Sequence, residues 1–236
     1  AWQVRAAFES GLAGTCIFSW TDEWFTGGVA IEDWSFGLVT RGRRRKPAFH
    51  AVQTQYTAPV PPALRQYTKV SVVICAYDAE RTIDACLASL EKVRYPNYEV
   101  VIVNDGSRDA TKAIAERYVA AHPRLFTLID QPNRGLSVAR NVGMEAASGE
   151  IIAYTDSDCV VDPDWLTYLV YKFQQGFVAV GGPNFPPPED NAVAAYVAAA
   201  PGGPTHVLLN DEVAEHIPGC NMAFRKRALE QVGGFQ

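Results

Sequence analysis

From Lys69 onward, the chain alternates between short apolar runs rich in β-branched residues and stretches whose apolar positions recur every three or four residues. The first pattern predicts buried strands, and the second predicts helices that pack against them. Repeated strand–helix–strand units close by right-handed crossovers and form a mainly parallel sheet. The predicted fold class is therefore α/β, doubly wound, with helices on both faces of the sheet.

The boundaries of these elements can be predicted from local signals. Strands are expected at 69–75, 98–104, 125–130, 150–155 and 177–181. Aspartate is a favoured N-cap and proline is favoured in the first turn of a helix. Asp78 and Asp109 are therefore expected to cap the first two helices. The third helix is expected at 136–147, and Asp162-Pro163 is expected to open the fourth.

Two carboxylates, Asp156 and Asp158, follow the apolar run 151–155 with one residue between them. Ligands of parallel sheets bind at the carboxyl ends of the strands. Carboxylates this close repel each other unless a cation compensates them, and Mg²⁺ or Mn²⁺ prefers such oxygen ligands. The alternative is a solvated cluster in which Asp158 or Asp162 caps the next helix.

Asp105 ends another predicted strand, so we expect it in the same crevice. Its carboxylate can accept hydrogen bonds from a nucleobase or a ribose hydroxyl, or it can simply form an Asp-Gly turn. Arg134 and Arg140 lie around the start of a predicted helix, whose backbone N–H groups could also face a diphosphate. Ordinary surface or salt-bridge arginines are the alternative.

Several segments jointly resemble family 2 glycosyltransferases of the GT-A fold, across roughly residues 69–236. They are 71–78, 103–107, 133–141, 156–158, 218–225 and 232–235. The chain departs from the family pattern at Cys75, where proline is common, and at Asp78, where asparagine is common. The resemblance implies a donor site that includes Ala76, Tyr77, Glu80, Asp105, Arg134, Arg140, Asp156 and Ser157.

The resemblance further implies that Asp158 ligates Mn²⁺ or Mg²⁺ directly, while Asp156 meets the ribose or reaches the metal through water. The implied reaction is an inverting transfer of a sugar from a nucleoside-diphosphate donor, with a UDP-sugar as the first expectation. The acceptor would be a glycan or a lipid-linked acceptor, as in polysaccharide and cell-envelope biosynthesis. The catalytic base is expected beyond Gln236, in a segment after Gly-Gly-Phe.

Two other functions are compatible with a nucleotide-binding sheet. A sugar-nucleotide nucleotidyltransferase would need a Gly-rich, Arg-containing loop after the first strand, whereas this chain has Cys-Ala-Tyr-Asp-Ala-Glu at 75–80. A non-catalytic module that only binds nucleotide sugars would keep the donor residues and lack the base.

Residues 1–58 carry a different signature, and a Pro-rich stretch at 59–68 is the expected linker. Segments 14–24, 33–38 and 46–49 resemble the last strand, loop and helix of a family 2 glycoside hydrolase (β/α)₈ barrel. That resemblance implies a remnant of an upstream barrel, without hydrolase activity of its own. Residues 183–216, rich in Pro, Ala and Gly, are expected to form an adaptable flap on the acceptor side.

Net charge and cysteine content limit the partners and the cellular compartment that can be expected. The net charge of −5 argues against a nucleic-acid partner. Five scattered cysteines without a CxxC pair favour a reducing compartment, so we expect the cytoplasm. The longest strongly apolar stretch, 192–200, is too short to span a bilayer. Association of the parent protein with the cytoplasmic face of a membrane is compatible with these features.

Overall fold

The computed structural model describes residues 2–9, 15–57, 61–182, 184, 207–208 and 213–236. The chain divides into two compact units, Ala1–Ala63 and Leu64–Gln236. Most of the expected flap at 183–216 lies outside the described residues, as does the first part of the expected linker, so both stay predictions.

Among its described residues, 2–9, 15–57 and 61–63, the first unit contains two helices and one short hairpin. They are α1 (Trp2–Glu9), β1 (Trp24–Thr26), β2 (Val29–Ile31) and α2 (Pro47–Thr57). An aromatic cluster lies beside the hairpin and consists of Phe18, Trp24, Trp34 and Phe36. A two-stranded hairpin does not test whether this unit derives from a barrel, so the resemblance to a hydrolase barrel stays a prediction.

The second unit is built on a six-stranded sheet. Its strands are β3 (Val70–Ala76), β4 (Tyr98–Asp105), β5 (Phe126–Gln131), β6 (Ile151–Asp156), β7 (Ala179–Gly181) and β10 (Met222–Arg225). Their order is β5-β4-β3-β6-β10-β7. The first four are parallel, whereas β10 runs antiparallel to both β6 and β7. A separate ribbon pairs β8 (Val207–Leu208) with β9 (Ala214–His216).

Helices cover both faces of this sheet, which confirms the predicted doubly wound α/β class. They are α3 (Ile83–Leu90), α4 (Thr111–Ala121), α5 (Leu136–Ala146), α6 (Trp165–Gln174) and α7 (Lys226–Val232). Residues of α3, α4 and α6 share one core layer, and residues of α5 and α7 share the other. Within the described ranges, no helix combines the length and apolarity needed to cross a bilayer.

The prediction that Asp78 caps α3 is wrong, because the residue at the N-cap position is Thr82. The helix begins at Ile83, and Asp78 instead adopts a left-handed conformation with φ of 49°. Its carboxylate accepts a hydrogen bond from the backbone N–H of Arg108 at 2.7 Å, which ties the loop to the neighbouring loop. Asp and Asn tolerate the left-handed region better than most residues, so this contact and conformation suit an aspartate here.

The strands β3, β4 and β6 are buried on both faces, as expected for parallel strands covered by helices. Helix α5 packs very closely on β3. A Cβ added at Gly143 would lie 2.3 Å from Cγ1 of Val73. Because α5 follows the parallel strand β5, its first turns lie at the carboxyl edge of the sheet, where the polar residues lie.

Candidate functional site

The carboxyl ends of β4, β3 and β6 lie side by side at one edge of the sheet. Cα pairing joins Ala76 with Asn104 and Cys75 with Asp156. The pKa of the Cys75 thiol is raised to about 12, mainly by burial; Arg140 opposes the rise, and the carboxylates of Asp156 and Asp105 add to it. Asp105 at the end of β4 and Asp156 at the end of β6 therefore both lie near the Cys75 thiol.

Asp156 is the last residue of β6, and its carboxylate is only loosely paired. Its Oδ1 lies 3.8 Å from an Nη atom of Arg140, and 45% of the Asp156 side chain is exposed against 16% of the Arg140 side chain. Burial raises the pKa of Asp156, the Arg140 guanidinium opposes that rise, and the Asp158 carboxylate adds to it. The ionised form is thus only partly compensated by the protein.

Asp158 follows in an exposed turn, in which the Cys159 N–H donates to the Asp156 carbonyl at 3.1 Å. The Cys159 thiol lies 3.6 Å from Asp158 Oδ1. Among the residues that the structure describes, no three His, Cys, Asp or Glu side chains converge as a ready-made metal site. The carboxylate pair fits a cation of the Mg²⁺ or Mn²⁺ kind, which takes few protein oxygens and completes its shell with water and phosphate.

Asp105 is almost fully buried, with 4% exposure. Its carboxylate accepts hydrogen bonds from Nε2 of Gln131 at 2.6 Å and from the backbone N–H groups of Arg134 and Gly135 at 2.9 Å each. The N–H groups of this helix start could face a diphosphate according to the sequence, and the structure shows that two of them bind Asp105 instead. A carboxylate from a neighbouring strand occupies them, which the local sequence of the helix start does not reveal.

The loop after Asp105 also makes a tight turn, as its Asp-Gly pair suggested. Gly106 has φ of 75°, and a Cβ there would lie 2.5 Å from the backbone nitrogen of Asn133. Asp105 and Gly106 together therefore fix the loop that leads into α5.

Arg134 is exposed on this loop, while Arg140 lies in the second turn of α5 and reaches Asp156.

The loop after β3 forms the other side of the edge. Ala76 is buried, whereas the Tyr77 side chain is 48% exposed and can present its ring to a ligand. The Glu80 carboxylate accepts a hydrogen bond from the backbone N–H of Ala110 at 3.1 Å, at the start of α4. Its own N–H donates to Asp109 at 2.9 Å. Glu80 therefore helps to join the two loops that flank the crevice.

Phe235 and Gly219 also lie at this edge, and the sequence did not predict a role for either residue. The Arg140 guanidinium lies over the ring of Phe235, 5.4 Å from its centroid. It also lies against Gly219, where a Cβ would be 2.7 Å from an Nη atom. Both residues belong to segments with a recognisable sequence pattern, but only the tertiary fold brings them beside Arg140.

Residues 71–233 match the sequence profile described as Glycosyl transferase family 2. The chain belongs to glycosyltransferase family 2. Two relatives from Haloferax volcanii illustrate the range of similarity. Glycosyltransferase AglE is 40% identical over 99 residues, which cover 41% of this chain and 33% of AglE. Glucosyl-dolichyl phosphate glucuronosyltransferase is 31% identical over 183 residues, which cover 71% of this chain and 56% of the relative.

The family fold is also found among solved structures. The mannosyltransferase PcManGT from Pyrobaculum calidifontis, in complex with GDP-Man and Mn²⁺, matches with a TM-score of 0.58 and 26% identity. The match covers 80% of this chain and 54% of that one. S. aureus TarS matches with a TM-score of 0.52 at 24% identity, covering 71% of this chain and 50% of that one, which bears on the fold alone. This family 2 chain therefore has a GT-A-type fold and spans about half or less of these proteins' lengths.

Proposed function

We propose that this family 2 chain binds a nucleoside-diphosphate sugar through Mn²⁺ or Mg²⁺ held at Asp158, with Asp156 contacting the ribose or the metal through water. The observation that carries the proposal is the carboxylate pair at the end of β6, which Arg140 compensates only loosely at 3.8 Å. A divalent cation beside the pair would lower the cost of keeping both carboxylates ionised. The structure of PcManGT in complex with GDP-Man and Mn²⁺ supports this assignment.

The nucleoside would lie between the loops after β3 and β4. The exposed ring of Tyr77 offers a stacking surface, and the buried Ala76 precedes it at the end of β3. Glu80 and Asp105 would line the same pocket, although each already accepts backbone hydrogen bonds. A UDP-sugar is our first choice of donor, and GDP-Man in a related structure makes GDP-sugars the obvious comparison.

The proposed reaction is an inverting displacement at the anomeric carbon of the donor. When bound, the metal would offset the charge that develops on the leaving diphosphate. The chain's own residues would orient the metal and contact the donor. Asp158 would orient the cation, Ser157 would lie beside the donor, and Arg134, exposed on its loop, would be available to a phosphate oxygen. A carboxylate base would remove the proton from the acceptor hydroxyl.

The acceptor would be a glycan or a lipid-linked acceptor, and the dolichyl phosphate compound in the name of one relative supports the second class. We also propose a reducing, cytoplasmic setting, because the five cysteines are free thiols. Association of the parent protein with the cytoplasmic face of a membrane is compatible with this setting.

Calorimetry with UDP, GDP and TDP, each with and without MnCl₂, tests the metal role. We expect at least one nucleotide to bind more tightly with Mn²⁺, and Asp158→Ala to weaken that metal-dependent binding roughly 100-fold, as befits loss of a metal ligand. Asp162→Ala is the matched control, since Asp162 lies four residues further along and its carboxylate accepts the N–H of Asp164. If binding is absent, or if Asp158→Ala and Asp162→Ala bind alike, the proposed metal site is wrong.

A further inference from the structure

One face of α5 contacts the last residues of the chain. The Asn141 side chain donates to the Phe235 carbonyl and accepts from the Phe235 N–H, both at 2.8 Å. Four residues earlier in the helix, the Ser137 hydroxyl donates to the Gln236 carbonyl at 3.0 Å. Gly234 has no room for a side chain, because a Cβ there would lie 2.4 Å from Oδ1 of Asn141. The segment 233–236 is therefore held by its backbone against α5.

Arg140 lies on the same helix between these two residues, but its side chain extends toward the carboxylate edge. Its guanidinium lies 3.8 Å from Asp156, 5.4 Å from the ring centroid of Phe235, and directly against Gly219. The Phe235 ring is packed in turn against Tyr154, with centroids 5.2 Å apart. The guanidinium therefore lies next to both the 218–220 segment and the 233–236 segment.

We propose that Arg140 is a positioning residue that couples occupation of the Asp156–Asp158 pair to the placement of segments 218–220 and 233–236. The inference rests on the proposed function, because it takes that pair to be where the metal and donor bind. Arg140 would act through Asp156 and not by binding the donor diphosphate itself. The segments on the far side of Arg140 would then become more ordered when the donor and metal are bound.

The physical reason is that one cation serves three neighbours at once. A guanidinium can attract a carboxylate with its N–H edge while its flat face rests on an aromatic ring. When a divalent ion fixes the Asp156 carboxylate, the position of the Arg140 edge is fixed as well. The ring of Phe235 and the backbone at Gly219 then have a defined surface to pack against. Coupling of this kind is reciprocal, so losing Arg140 should also weaken metal-dependent binding.

Hydrogen exchange followed by NMR can test the coupling in the 236-residue chain. The reporters are the amides of Asn221, Gly234 and Phe235, whose acceptors are Pro218, Leu229 and Asn141. We expect MnCl₂ with UDP, and in a parallel set with GDP, to slow their exchange about fivefold or more in the unaltered chain. The amide of Leu125, which donates to the His122 carbonyl, serves as an internal control that should not change.

The decisive variant is Arg140→Met, which keeps much of the apolar stem and removes the charge. We expect it to lose the ligand-induced protection and to bind nucleotide with Mn²⁺ about tenfold more weakly, while metal-free nucleotide affinity stays the same. Arg140→Lys should restore part of both effects, since it keeps a cation near Asp156. Arg124→Met is the matched control, because Arg124 is exposed at the amino end of β5, away from the carboxylates, and this variant should retain the protection.

Phe235→Leu provides a second variant that leaves Arg140 and Asp156 in place. We expect this variant to reduce the slowing of exchange that MnCl₂ with nucleotide causes at the reporter amides. This measurement remains possible even if Arg140→Met does not fold well enough to be studied. Binding without any change in exchange in the unaltered chain would overturn the coupling and leave the metal site standing. A loss of metal-free nucleotide affinity in Arg140→Met would also overturn it, because Arg140 would then be a phosphate ligand. An absence of all binding would instead refute the proposed function.

Discussion

Carboxylates at the amino edge and at the carboxyl edge of the central sheet differ in how fully they are paired. At the amino edge, Glu99 accepts hydrogen bonds from Ser71 at 2.6 Å and from the Ser148 N–H at 2.7 Å, and it pairs with Lys69 at 2.8 Å. Burial by itself would raise the pKa of Glu99. The hydrogen bonds from Lys69, Ser71 and Ser148 outweigh burial and lower the pKa from 4.5 to about 2.

At the carboxyl edge, Asp156 has a cationic neighbour at 3.8 Å and a pKa raised by burial. Glu99 is thus fully paired at the amino edge, and its carboxylate stabilises the fold. At the carboxyl edge, Asp156 is incompletely compensated, which costs stability unless a ligand supplies positive charge. This difference is what separates a structural ion pair from a candidate site, since perturbed and unsatisfied charges collect where proteins bind ligands.

Asp105 sharpens the comparison, because it lies at the carboxyl edge yet is satisfied like Glu99. Replacing it by asparagine should lower the free energy of unfolding by about 2 to 3 kcal/mol, since an amide N–H₂ would face backbone N–H donors in a buried position. Urea denaturation would measure the change. Asp158→Asn is the control, and we expect its stability to match the unaltered chain. Equal losses in both variants would show that the two aspartates are not of different kinds.

At the amino edge, Glu99→Gln should cause the next largest decrease in the free energy of unfolding. We expect a loss of roughly 1 to 3 kcal/mol at neutral pH, because charge-assisted bonds to Lys69, Ser71 and Ser148 would be weakened. The folded-state pKa lies below the ordinary value. The contribution of Glu99 is therefore complete above about pH 4.5 and disappears as the pH falls from there toward about 2. Denaturation curves of both proteins should converge across that range, and a gap that persists below it would contradict this account.

Asp156→Asn should have the smallest effect on stability, within about 0.5 kcal/mol at neutral pH. A carboxyl group whose pKa is raised in the folded state costs stability when ionised, and this cost disappears as the pH falls below its ordinary value. The asparagine removes that cost but leaves Arg140 without its partner, so the two effects oppose each other. Thermal melts would measure the difference. A loss as large as that expected for Glu99→Gln would mean that Asp156 is a structural carboxylate.

Much of the fold was predictable because each element is encoded locally. The β-branched runs predicted β3, β4, β5 and β6 to within a residue or two at each end, since buried parallel strands need continuous apolar sequence. The strand β10 was not predicted. Its four residues, 222–225, carry little strand signal of their own, and they form a strand because β6 and β7 offer edges on both sides.

The sequence by itself determined that carboxylates would gather at the carboxyl edge, because chain direction in a parallel sheet places every strand end there. Only the tertiary structure decided how each carboxylate is used. Asp105 is satisfied by the start of α5, Asp78 joins two loops, and Asp156 meets Arg140. The reason is that a side chain's partners come from elements far away in sequence, and hydrogen bonds depend on distances that no local pattern encodes.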